Sequence, residues 1–295
     1  MLVASPVPLS KQLSGYVALT KPRIIELLLV TTVPAMVLAA GAWPSTWLVL
    51  ATVIGGTLSA GGANAINMYV DRDIDAVMRR TKGRPLVTGV VTPRGAITFA
   101  VAIEAIAFVW LWVLVNPLSA LLALGACLFY VFVYTLWLKR TSSQNIVIGG
   151  AAGAAPVLIG WAAVTNSLSW SAFLLFAVVF FWTPPHFWAL AIKYRDDYSA
   201  VDVPMLPSVR SLHETAVQIV GYTLVVWVTS LALAPVASLG WIYVATALVT
   251  GGMFTWLSVK VLRDPNPGRA MRLFSFSVTY LVVLFGAIIV DVLAR

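Results

Sequence analysis

Apolar residues fall in long runs along this chain, and polar residues gather in short stretches between them. Apolar runs of about 18 residues or more have the length of a membrane-crossing helix. Nine are predicted, at roughly 24–41, 46–67, 95–115, 118–138, 145–164, 168–191, 215–234, 239–259 and 273–292. The connections alternate in kind. Those after the first, third, fifth and seventh runs are short and carry no Lys or Arg, whereas the N-terminal tail and the other four connections hold 18 of the 19 basic residues, all but Arg295. An excess of Lys and Arg marks the cytoplasmic side, so the N-terminus is predicted inside and the C-terminus outside. The expected fold is an all-α, polytopic membrane bundle of nine helices. A cytoplasmic tail is expected over 1–20 and a single intramembrane domain over 21–295.

Composition agrees. Charged residues make up 10% of the 295 and hydrophobic residues 60%, whereas a soluble domain carries about 25% charged residues. The net charge of +8 does not imply nucleic acid, because the basic residues sit at predicted helix ends. One cysteine, Cys127, cannot form an internal disulfide and leaves the redox compartment open. The first 20 residues contain one Lys and no Arg, unlike an Arg-rich transit peptide, and the first apolar run lacks a small-residue cleavage site. A multi-pass protein of a bacterial inner (cytoplasmic) membrane is the expected setting.

Against this background the stretch NMYVDRDID, from Asn67 to Asp75, stands out. Three of only 11 acidic residues, Asp71, Asp73 and Asp75, lie within five positions of one another. On a helix continuing out of the second run, Asn67, Asp71 and Asp75 share one face over about 12 Å, and Asp73 points elsewhere. Unpaired carboxylates at the mouth of a membrane helix repel each other and resist burial. They do suit Mg²⁺, which takes oxygen ligands and bridges one or two carboxylates to substrate phosphates. The alternative is a solvated turn paired with Arg79, Arg80, Lys82 and Arg84. A second acidic stretch, KYRDDYSAVD from Lys193 to Asp202, leaves the sixth run on the same predicted face. Two such clusters, flanked by Arg and Lys, could hold one Mg-diphosphate between them.

These features resemble the UbiA superfamily of intramembrane prenyltransferases: the Asn67-x3-Asp71-x3-Asp75 spacing, the second acidic loop and the nine runs with the N-terminus inside. Four stretches resemble the branch of that superfamily that prenylates heme. They are TKPRIIELLLVTTVPAM (Thr20–Met36), NMYVDRDIDAVMRRTKGRPL (Asn67–Leu86), WTPPHFWALAI (Trp182–Ile192) and YRDDYSAVDVPMLP (Tyr194–Pro207). The resemblance covers nearly the whole chain. One departure is plain: Tyr194 and Tyr198 stand where most superfamily members carry a second Asp-x3-Asp, leaving Asp196 and Asp197 as the acids between them.

The resemblance implies Mg²⁺-dependent transfer of farnesyl from farnesyl diphosphate to a vinyl group of protoheme IX (heme B), with water added and diphosphate released, to give heme O. It implies a lipid bilayer as surroundings, and a downstream heme-modifying enzyme or terminal oxidase assembly as recipient of the product. Asn67, Asp71 and Asp75 would be the catalytic and metal-binding set, joined by Asp196 and Asp197, with Asp197 a further metal ligand. Basic residues at cytoplasmic helix ends would hold the diphosphate: Lys21, Arg23, Arg79, Arg84, Lys139, Arg140, Lys193 and Arg195. Their default role is orientation and snorkelling. An iron porphyrin makes the two histidines candidate axial ligands. His186 follows Pro184-Pro185, which should kink or break the sixth helix, and His213 precedes the seventh. Arg210 is a candidate for the heme propionates.

Two intramembrane glutamates stay open. Glu26 could pair with Lys21 or Arg23, and Glu104 lies deep in the third run, where an ionisable group is costly. Gly149-x3-Gly153 reads as small-residue helix packing. Three other readings remain: a UbiA-type enzyme acting on an aromatic or quinone precursor, an ion-coupled transporter, and a phosphotransferase acting on nucleotide-activated alcohols. A transporter should show repeated halves and midplane acids, and neither is visible. The phosphotransferase reading lacks its Asp-x2-Asp-Gly opening.

Overall fold

The computed structural model describes residues 8–295, the side chains of residues 23–29 excepted. Arg23 and Glu26 therefore lie outside the described residues. Within them the regular structure is entirely helical. A short helix, α1 (Leu9–Leu19), occupies the predicted tail and packs on α3 and α5 through buried Leu19. The long helices are α2 (Pro22–Ala40), α3 (Thr46–Val70), α5 (Pro93–Leu114), α6 (Pro117–Leu128), α8 (Asn145–Thr165), α9 (Trp170–Lys193), α12 (Leu212–Val236), α13 (Trp241–Arg263) and α14 (Pro267–Leu293). Short helices α4 (Arg72–Val77), α7 (Lys139–Thr141), α10 (Arg195–Ser199) and α11 (Leu206–Val209) fill the polar connections. Eight helical stretches among the described residues are long and apolar enough to cross a membrane, counting α6 through α7 as one from Pro117 to Thr141. The first predicted run falls on α2, whose apolar character is described only from Val30 to Ala40.

Local chemistry sets the helix starts. Thr92, Asn116 and Asn266 each accept a backbone N–H from the first turn of the next helix and are each followed by Pro at the first helical position, where its missing N–H costs nothing. Ser211 and Glu214 close a reciprocal capping box on α12. The expected break at Pro184-Pro185 does not occur, and α9 runs unbroken through both residues. Neighbouring groups take up polar atoms there: the Thr183 hydroxyl donates to the Val179 carbonyl at 2.9 Å, and Trp182 Nε1 donates to the Ser277 carbonyl at 2.8 Å.

Residues Phe129–Leu138 wind as a π-helix continuing α6. The wider winding closes hydrogen bonds five residues apart, and π segments concentrate at functional sites. Its partner is Gly149 on α8, where a Cβ would fall 2.3 Å from the Tyr134 ring. That glycine lets the π segment and α8 meet, as the small-residue reading expected. Gly153, one turn on, has open space beside it and lines a cavity instead. The largest buried cluster lies among α8, α9, α12, α13 and α14. The cavity, about 320 Å³, is enclosed chiefly by α2, α3, α6, α8 and α9.

Candidate active site

The cavity is apolar and hydroxyl-lined within and charged at one end. At the charged end α3 gives way to α4. Helical hydrogen bonding continues across the junction, from Asp71 N to the Asn67 carbonyl and from Asp75 N to the Asp71 carbonyl, both at 2.9 Å. This keeps Asn67, Asp71 and Asp75 in one row, as their spacing predicts. All three are buried, with Asp71 0% exposed. Asp73 faces out, 60% exposed at its side chain. Its bidentate pair with Arg140, at 2.7 and 2.8 Å, holds its carboxyl down at about 2.

Each inward member of the row has a cationic partner from a different element. Lys21 Nζ donates to Asn67 Oδ1 at 2.9 Å. The Asn67 amide in turn donates to Asp71 Oδ2 at 2.8 Å and to Thr135 of the π-helix at 3.1 Å. Lys139 pairs with Asp71, and Arg84 pairs with Asp75 at 2.5 Å. Thr81 donates to the Asp75 carbonyl at 3.0 Å, fixing the turn that delivers Arg84. Lys21 is itself held in a left-handed conformation, φ 53°, that is unfavourable before a proline. The Asn64 amide steadies it by donating to the neighbouring Thr20 carbonyl at 3.1 Å. Burial, reinforced by Arg84 and Lys139, lowers the Lys21 ammonium to about 7 against the pull of Asp71 and Asp75.

One atom of the row lacks a partner. Asp71 Oδ1 is buried and accepts no hydrogen bond, with Arg140 Nη2 no nearer than 3.8 Å. Leaving a buried acceptor unsatisfied costs about 1–3 kcal/mol, more when it is charged. Two carboxylates, one of them with an unused oxygen, and an amide oxygen form a hard-donor set that fits Mg²⁺ in chemistry. They do not form a closed cage. Among the described residues no three His, Cys, Asp or Glu side chains gather as metal ligands, so substrate oxygens would have to complete the coordination.

The opposite wall corrects several expectations. Asp197 turns to the Arg80 backbone N–H at 3.4 Å and stays apart from Asp71 and Asp75, while Asp196 is exposed. The cavity here is lined by Tyr198 and Arg80. Burial raises the Tyr198 hydroxyl, and Arg80 and Arg84 oppose that shift. Arg80 also lies over the Tyr194 ring, 5.7 Å from its centroid. Of the predicted diphosphate contacts, Lys21, Arg84 and Lys139 line the cavity. Arg140 is tied to Asp73, and Arg79, Lys193 and Arg195 are exposed outside the lining.

The histidines are not brought to the cavity either. His186 is buried, its ring stacked between Trp182 at 4.2 Å and Phe274 at 4.5 Å, with Nδ1 2.6 Å from Ser277 Oγ. It faces α14, because one helical position along α9 separates it from Phe187, which does line the cavity. Arg210 is exposed before α12 and His213 is exposed within its first turn. Glu104 is buried in α5 and accepts from Ser59, a lining residue, at 3.0 Å.

Sequence reasoning missed Arg80, Tyr130 and Tyr134 as lining residues and Thr135 as a partner of Asn67. The two tyrosines stack at 5.3 Å on the cavity wall. Within an apolar run, Thr135 was the only polar signal there, and nothing in the sequence announces a π-helix.

Comparison with known proteins is consistent with this geometry. The UbiA prenyltransferase family profile matches residues 28–284. A protein of Clavibacter michiganensis subsp. michiganensis named protoheme IX farnesyltransferase is 53% identical over 97% of this chain and 94% of its own. A Frankia alni protein of the same name is 55% identical over 96% of this chain and 99% of its own. Among solved structures, a digeranylgeranylglyceryl phosphate synthase superposes with a TM-score of 0.79 at 16% identity, covering 96% of this chain and 99% of that one. A UbiA homolog from Archaeoglobus fulgidus bound to GPP and Mg²⁺ superposes at 0.66 and 16% identity, covering 93% and 99%.

Proposed function

The chain belongs to the UbiA prenyltransferase family, and we propose that it transfers farnesyl from farnesyl diphosphate to a vinyl group of protoheme IX. One water is added, diphosphate is released, and the product is heme O. The observation that carries this reading is the buried row of Asn67, Asp71 and Asp75, cross-braced by Lys21, Arg84 and Lys139, at the charged end of an apolar cavity of about 320 Å³.

Mg²⁺ held by Asn67, Asp71 and Asp75 would neutralise the charge that builds on the departing diphosphate. The chain's own cations do the rest of that work. Lys21, Arg80, Arg84 and Lys139 converge on the same end of the cavity and hold the oxygens the metal does not reach. The isoprenoid lies along the apolar interior, where low polarity protects a developing allylic cation from premature water. Arg210 is the proposed contact for the acceptor's propionates and His213 a proposed ligand for its iron, since the chain leaves the cavity wall at Met205 just before α11. Lys193, Arg195, Arg79, Asp196 and the outward face of Arg140 shape the rim at the cytoplasmic side of a bacterial inner membrane.

Purified protein incubated with farnesyl diphosphate, reduced heme and Mg²⁺ is expected to yield a farnesylated heme, read by mass. Product with 4-hydroxybenzoate and none with heme would move the acceptor to an aromatic acid. Turnover undiminished by chelation of divalent ions would remove the metal from the reading.

A further inference from the structure

Four cationic side chains converge at a place outside the reaction cavity. Lys260 and Arg263, at the end of α13, and Arg269 and Arg272, at the start of α14, line a recess of about 310 Å³ with Leu257. None of these residues lines the reaction cavity. Their charges are poorly compensated. Arg269 pairs with Asp264 at 3.3 Å and donates to the Lys260 carbonyl at 3.1 Å, so it is held by its own hairpin. Lys260 Nζ lies over the Trp256 ring, 3.3 Å from its centroid. Arg263 and Arg272 have no ion-pair partner among the described residues. Orienting a hairpin needs cations at one end, but it does not need them gathered around one hollow, where like charges repel.

A second observation comes from the register of α13. Val249, Met253, Trp256, Lys260 and Arg263 follow one another at steps of three or four residues and so share one helix face. All five are exposed, the first three by 72%, 42% and 49%. That face is left outward because α13 packs against α12 and α14. Over about 21 Å the stripe passes from aliphatic to aromatic to cationic, which is the order in which a bilayer leaflet presents acyl chain, interface and headgroup.

We propose that this recess binds the phosphate of an anionic phospholipid, with an acyl chain lying along Val249, Met253 and Trp256. Basic pockets at the ends of transmembrane helices hold such headgroups by charge. The stripe below supplies the apolar contact that a free phosphate could not use.

The test is native mass spectrometry of the full-length protein in neutral detergent, titrated with phosphatidylglycerol or phosphatidylcholine. The wild type is expected to bind phosphatidylglycerol selectively, a readout that needs no variant. Arg263→Ala/Arg272→Ala should weaken that binding roughly thirtyfold, from the usual worth of two cations near an anionic headgroup, with prenyl transfer unchanged. Lys82→Ala/Arg94→Ala removes the same charge at two other exposed sites and should leave binding as it was. Three results would each overturn the proposal: equal binding of the two lipids, an equal loss in both double variants, or displacement of the lipid by inorganic phosphate at lipid-like concentrations. The last would make the recess a site for a soluble anion.

Discussion

Lys139→Ala isolates the physics of the acidic row. Asp71 is fully buried, and Lys139, itself 15% exposed at the side chain, is its ion-pair partner. Deleting one member of a buried pair leaves an uncompensated charge and costs about 3–5 kcal/mol. The Asn67 amide remains on Oδ2 and Arg140 stays 3.8 Å from Oδ1, which places the loss near the lower end, about 3 kcal/mol. For a chain of this length that is a fall in Tm of roughly 6–10 °C. The second half of the experiment is Asp71→Asn in the Lys139→Ala background. It removes the stranded charge and should recover at least half of the lost stability, so the two substitutions couple strongly. Thermal unfolding in detergent measures both. Saturating Mg²⁺ should raise the Tm of Lys139→Ala more than that of the wild type, since a cation that binds only the folded state stabilises it and would meet a carboxylate already freed of its amine. Turnover should be low in the single and double variants alike. A Tm loss under about 2 °C for Lys139→Ala, or strict additivity with Asp71→Asn, would show that Asp71 is not a buried charge held by Lys139.

Three further outcomes follow from the geometry. Asp75→Asn should lower turnover by about 10²-fold or more, the usual scale for a metal-site group, whereas Asp73→Ala should change it less than about fivefold, the worth of an exposed pair; equal losses at 73 and 75 would contradict the inward and outward faces. His186→Ala should remove two ring stacks and the Ser277 hydrogen bond, destabilising by about 2–4 kcal/mol, and leave the absorption spectrum of bound heme unchanged; a changed Soret band would restore it as an iron ligand. Gly153→Leu starts from a position where an added Cβ meets nothing within 4 Å and should preserve Tm while shifting preference from farnesyl to geranyl diphosphate, measured by competition between the two donors, because the side chain takes up volume of the cavity that Gly153 lines.

The row Asn67, Asp71 and Asp75 was legible because its order is local. One helical period on contiguous residues decides which carboxylates face inward, and no tertiary information is needed. What neutralises the row was not legible in the same way. Lys21, Arg84 and Lys139 reach it from three separate segments, and at the sequence level they look the same as Arg79, Lys193 and Arg195, which end in the open. All six lie at helix ends or in the connections beside them, where the positive-inside rule already accounts for a cation. Only the tertiary path separates them: the left-handed turn at Lys21, the Thr81-braced turn before Arg84, and the π-helix that carries Thr135 and Lys139 to Asn67 and Asp71. His186 is the reverse case. Its rarity and its proline neighbours made it conspicuous, yet a histidine between Trp182 and Phe274 with a serine on Nδ1 is a packed side chain. In a greasy bundle, then, a polar residue's function is decided less by its being scarce than by whether its neighbours satisfy it. His186 has its partner in Ser277. Asp71 Oδ1 is buried without a hydrogen bond, in the row whose other two members, Asn67 and Asp75, line the end of the cavity where a phosphorylated lipid needs a cation brought to it.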